Sequence, residues 1–104
     1  MILYNITINI DYDCHLKWLK WMKDEHIPDV LNTGLFLNAK ICRIHAEEQG
    51  GISYSIQYIL KNKSDYENYQ KSHAQRLQKD HNTKFGGKFV AFRTLLEVVY
   101  EKQP

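Results

Sequence analysis

The first ten positions alternate. Ile2, Tyr4, Ile6, Ile8 and Ile10 fall on one side of an extended chain, and Leu3, Asn5, Thr7 and Asn9 on the other. A period of two in β-branched residues predicts a strand over 2–10, one face of it turned to a core. Asp11 and Asp13 then offer side-chain oxygens to cap a helix. From His15 to about Asn32 the period lengthens. Trp18, Leu19, Met22 and His26 make one helical stripe, with Lys17, Lys20, Lys23 and Asp24 largely opposite. Pro28 cannot donate to the helical ladder, so a kink or restart is expected there, and Thr33-Gly34 ends the helix.

Residues 35–46 and 52–60 predict two more strands, joined by a turn at Gln49-Gly50-Gly51. The paired glycines allow positive φ, and a left-handed Gly51 would not tolerate valine. Ser64-Asp65-Tyr66-Glu67 matches a capping box and starts a second helix that runs to about Lys84. Tyr66, Tyr69, His73, Leu77 and Asp80 share one of its faces. Gly86-Gly87 stops it, and residues 89–100 form a last strand that is apolar on both sides.

The order β-α-β-β-α-β, over one domain spanning 1–104, is the ferredoxin-like plan of an α+β protein. It builds an antiparallel four-stranded sheet with both helices on one face. The other face stays bare. Val90, Phe92, Leu96 and Val98 point away from Phe89, Ala91, Leu95 and Val99, yet both sets are apolar. An uncovered apolar patch of several hundred Å² is uncommon on a monomer. The simplest cover is a second copy, so a homodimer through the sheet face is expected.

Composition removes several classes. The chain has 104 residues and a net charge of +2, which gives no strong field for nucleic acid or acidic membranes. Cys14 and Cys42 are too few for a disulfide scaffold and make no CxxC pair. MILYNITINI has no basic start and reads as a strand rather than a secretory leader. No apolar run approaches the roughly 20 residues that cross a bilayer. A reducing, cytoplasmic location is expected, with no membrane and no nucleic-acid partner. Lys88-Phe89-Val90-Ala91-Phe92 is slightly like the aromatic signature of the RNA-recognition module, but it lies on the fourth strand instead of the third.

The segments WLKWMKDEHIPDVLNTGLF (18–36) and KFGGKFVAFRTLLEVV (84–99) resemble a small bacterial family catalogued only as a domain of unknown function, within the dimeric α+β barrel group. The resemblance covers essentially the whole chain. It implies a ferredoxin-like protomer whose sheet packs on a partner's sheet, and it implies no assigned activity. More distant members of the group include antibiotic-biosynthesis monooxygenases and haem-degrading enzymes, whose sites usually lie between a protomer's helices and its own sheet.

Within that frame the chemistry-bearing residues are few. His26 and His73 are the candidate proton-transfer residues, because an imidazole titrates near neutrality and both sit in register with inward stripes. Each is also explained as a helix-edge or core histidine. Tyr54, Tyr58 and Tyr69 are candidate walls for a planar, partly apolar ligand, and Asp80 a candidate polar contact. Arg93 interrupts an apolar strand, so it needs a carboxylate: from a ligand, from Glu97 or Asp80, or from a partner chain. The five histidines show no ligand spacing, and no metal or cofactor is expected. Two functions stand open: a small-molecule binder that works as a cofactor-independent enzyme, by proton transfer or oxygenation, and a non-catalytic homodimer with a filled core.

Overall fold

A computed structural model of the protein describes residues 1–46 and 50–104. Four strands, β1 (Ile2–Asp11), β2 (Asn38–Arg43), β3 (Gly51–Leu60) and β4 (Phe89–Glu97), form one sheet in the order β2-β3-β1-β4. Every neighbouring pair is antiparallel. Tyr4 stands between Tyr58 and Leu95, Ile6 between Ile56 and Arg93, and Ile8 between Tyr54 and Ala91. The alternation in β1 is therefore continued across the sheet. Ile2, Tyr4, Ile8 and Ile10 are buried beside Ile52, Tyr54, Ile56, Tyr58 and Leu60. Each such side chain contributes about 1.5–3 kcal/mol on leaving water.

The helices cover that face. The first runs from α1 (His15–Trp21) through a wide turn with π-type hydrogen bonding, Met22–His26, into α2 (Ile27–Leu31). The expected break at Pro28 is thus a widening and not a restart. Proline lacks an N–H and its ring presses on the carbonyl four residues back, and the wide turn ahead of it relieves both. Trp18, Met22 and Val30 face inward from the three segments.

The second helix is also divided, into α3 (Lys63–Ser72) and α4 (Ala74–Phe85), at His73 with φ −133° and ψ −35°. Its start differs from the expected capping box. Asn62 is the cap, its side-chain oxygen accepting from the Asp65 amide at 2.9 Å. Asparagine caps as well as serine does, and it lies one residue before the first helical turn. The break at His73 also alters the inward stripe. Beyond Tyr69 the buried positions are Ala74, Leu77 and Phe85, and Asp80 is exposed.

Two strands are shorter than their apolar runs. β2 begins at Asn38 because Phe36 turns into the core, its ring 4.8 Å from that of Tyr69. β4 ends at Glu97, after which the Val98 amide makes one more bond to the Met1 carbonyl. Of the expected turn at 49–51, Gln49 lies outside the described residues. Gly50 has the positive φ, +80°, and Gly51 does not. Gly51 is required for a different reason: a Cβ there would stand 2.6 Å from the Ile10 carbonyl and overlap the Asn9 side chain.

The far face of the sheet is open. Val90 and Phe92, 71% and 63% exposed, line it along β4 together with Leu96. Its centre is polar, unlike the apolar patch expected. Asn9 donates to Ser53 at 3.1 Å, Gln57 to Ser55 at 3.2 Å and Asn5 to Thr7 at 3.1 Å, while the Ser55 hydroxyl donates to the Asn5 carbonyl oxygen.

Candidate functional site

Between the helices and the sheet lies a small cavity of about 40 Å³, lined among others by Trp18, His26, Tyr58, His81 and Arg93. The wide turn in the first helix carries His26 to it. There the ring stacks on Trp21, with centroids 4.9 Å apart and planes 29° from parallel. α4 carries His81 to the same place, edge-on to His26 at 5.8 Å. A third ring, Phe89 of β4, meets His81 edge-to-face at 4.4 Å.

Trp18 fixes the state of His81. The indole N–H donates to His81 Nε2 at 2.9 Å. An indole has no acceptor, so Nε2 must be the unprotonated nitrogen and the ring proton sits on Nδ1. Burial pushes His81 down to about 4, with the nearby His26 and Arg93 acting in the same sense. His26 is also lowered to about 4, chiefly by burial; Asp29 and Asp80 oppose the shift and Arg93 adds to it. Both imidazoles are neutral at pH 7. Neutral His26 keeps one acceptor nitrogen, whereas His81, its Nε2 taken by Trp18, offers only its Nδ1–H as a donor. Neither adds positive charge beside a bound anion.

Arg93 supplies that cation. It projects from the helix side of β4, opposite Ile6, is exposed, and also lines the cavity, which therefore reaches the surface beside it. Neither Glu97 nor Asp80 pairs with it. The ion pair found among the described residues is the exposed Lys20–Asp24 contact at 2.7 Å. Three tyrosines stand near Arg93. Burial raises the pKa of Tyr4, Tyr58 and Tyr69, and Arg93 works against this at Tyr4 and Tyr69.

The candidates read from sequence are thus distributed. His26, Tyr58 and Arg93 meet at the cavity. Tyr69 is buried in an aromatic cluster with Tyr4 and Phe36, at 6.0 and 4.8 Å. His73 stacks loosely on Tyr69 at 6.4 Å, at the helix junction and off the cavity lining. Tyr54 lies toward β2, its hydroxyl 3.1 Å from His15 Nδ1. Asp80 is on the outer rim of α4. The residue that sequence reasoning missed is His81. Its signal was the four-residue spacing Leu77–His81–Phe85, a helical stripe running through to the last turn. Among the described residues no three His, Cys, Asp or Glu side chains gather as metal ligands, and no helix is long and apolar enough to cross a membrane.

A family described as a domain of unknown function, DUF4286, matches residues 1–99. None of the curated proteins is similar to the chain in sequence. Several solved structures share the fold. A dimeric ferredoxin-like protein from an uncultured marine organism is 16% identical over 100% of both chains, with a TM-score of 0.71. A putative antibiotic-biosynthesis monooxygenase from Bacillus cereus is 9% identical over 99% of this chain and 97% of its own, at 0.68. SnoaB of Streptomyces nogalater, a cofactor-independent oxygenase, is 6% identical over 96% and 95%, at 0.68. At such identities the likeness is one of fold.

Proposed function

The chain belongs to the DUF4286 family, and from its own site we propose that it is a cytoplasmic homodimer that binds a small, planar, partly apolar molecule bearing an anionic or acidic oxygen. The observation that carries this reading is the pair of neutral imidazoles, His26 and His81, beside a cation that no carboxylate among the described residues pairs with. Arg93 takes the anionic oxygen. The neutral His26 accepts a hydrogen bond from the same end of the molecule. Lowered to about 4, it is a weak base, so a proton moves to it only as Arg93 stabilises the anion left behind. The chemistry open to the site is cofactor-independent proton transfer, the first step of oxygenating an activated carbon acid or phenol. The cavity volume of about 40 Å³ is that of one or two water molecules. The oxygen-bearing end enters it, therefore, and the planar body lies over the mouth near Arg93 and Gln78.

The dimer forms through the open sheet face. Val90, Phe92 and Leu96 supply its apolar part. The polar centre is already hydrogen-bonded to itself, so burying it leaves few groups unsatisfied. A structural relative described as dimeric supports the dimeric state, though not the face through which it forms.

The test uses 1-hydroxy-2-naphthoate as probe and tryptophan fluorescence as readout, since Trp18 lines the cavity and Trp21 stacks on His26. Saturable quenching is expected, weakened at least tenfold in Arg93→Met and in His26→Gln. Equal binding by both variants would overturn the reading. The small cavity volume favours one rival, a non-catalytic homodimer with a filled core, and that protein would show no saturable quenching at all.

A further inference from the structure

A second and larger concavity lies on the same side of the sheet but away from the histidines. It is a groove of about 680 Å³ between the first helix and the edge strand β2. Sites for small molecules commonly enclose about 300–1,000 Å³. Its walls divide cleanly by chemistry. Leu19, Ile27 and Ile41 are half-buried and form an aliphatic floor, extended by Leu16, which is 69% exposed. Lys23 on the helical wall and Lys40 and Arg43 on β2 are exposed along the rim. No carboxylate among the described residues lines the groove, and none of these three cations belongs to the ion pair found there.

An apolar trough with cations along its rim and no acid among the described residues of its lining is complementary to one kind of molecule. We propose that this groove binds a free amphipathic carboxylate, with its aliphatic chain along Leu16, Leu19, Ile27 and Ile41 and its headgroup among Lys23, Lys40 and Arg43. The aliphatic floor selects a hydrocarbon chain over a stacked aromatic base. Three cations more than neutralise a single carboxylate headgroup and are too few to hold a polyanion, in keeping with the overall charge of +2. At the groove's polar spot, the Tyr54 hydroxyl meets His15 Nδ1 at 3.1 Å. This pair supplies a hydrogen-bonding contact beside the floor. The groove is independent of the cavity around His26 and His81, with which it shares no lining residue.

Isothermal titration of the whole protein with sodium decanoate below its micelle concentration tests this, with 1-decanol as the uncharged comparison. One decanoate per protomer is expected, bound at least tenfold more tightly than decanol, with affinity falling as salt rises. The double variant Lys23→Gln/Arg43→Gln and the single variant Leu16→Ser change only exposed side chains, so folding should persist. The first should cost at least tenfold in decanoate affinity and the second severalfold. Arg93→Met should leave decanoate binding in place while weakening 1-hydroxy-2-naphthoate, which separates the two sites. Equal affinity for decanoate and decanol would overturn the proposal, as would unchanged binding by the double variant. Loss in Arg93→Met alone would move decanoate to the histidine cavity. Sedimentation with anionic phospholipid vesicles without decanoate binding would make the groove a membrane-facing surface, and the proposal would fall.

Discussion

Two histidines held neutral by burial give the protein a defined response to acid. An ordinary histidine titrates near 6.5, whereas His26 and His81 are each lowered to about 4. Between those values the unfolded chain binds protons that the folded chain does not. Stability therefore rises with pH across that window and is lost as pH falls from about 6.5 toward 4. Below about 4 the folded imidazoles protonate too, and this contribution to the slope ends. Thermal melts at stepped pH should show a falling Tm over this interval, and His81→Gln should reduce the dependence. Side-chain nitrogen NMR should find His81 as the Nδ1–H tautomer at pH 7, because the indole of Trp18 occupies Nε2. An Nε2–H signal would contradict the Trp18 contact. His26 was visible as a candidate from its register with Trp18 and Met22. Its neutrality was not, since that depends on the rings of Trp21 and His81 closing over it.

At the scale of elements, hydrophobic period identified each strand and helix, while local chemistry decided where they begin and bend. The second helix starts one residue after Asn62, not at the Ser64 box. Asn62→Ala should then cost about 1 kcal/mol in denaturant unfolding, and Ser64→Ala much less. The reverse order would restore the capping box. In the β2–β3 connection the two glycines do different jobs. Gly50→Ala should cost about 1 kcal/mol for its positive φ. Gly51→Val should cost more, about 2 kcal/mol or above, because a branched side chain meets the Ile10 carbonyl and the Asn9 side chain. Equal melting temperatures for wild type and Gly51→Val would show that β1 and β3 can separate there at little cost. The break at His73 had no clear mark in the sequence. A mid-helix histidine is an ordinary helical residue, and only packing of Tyr69 on one side and Leu77 on the other demands the change of direction.

For the whole molecule the open sheet face is the feature with the largest consequence. An interface covering it should bury on the order of 1,500–2,500 Å² in total. Light scattering should report a dimer at micromolar concentration. Phe92→Glu, at a position 63% exposed in the single chain, should produce a folded monomer; a dimer that survives this change would place the contact elsewhere. The two-faced sheet was legible in the chain because a β residue's side is set by parity alone. Ile2 to Ile10 could point only one way once Tyr4 pointed inward, and Val90 and Phe92 only the other. Helical residues carry no such guarantee. Each step turns the face by about 100°, so a wide turn or a one-residue break redirects everything after it. That is why the sequence by itself determined the ferredoxin-like α+β plan and the inward tyrosines of the sheet, while the helix-side place of Arg93 came from the structure. The tertiary structure alone decided that His81 stands opposite His26 while His73 stays at the helix junction, because that choice rests on the angle at which two bent helices settle onto the sheet.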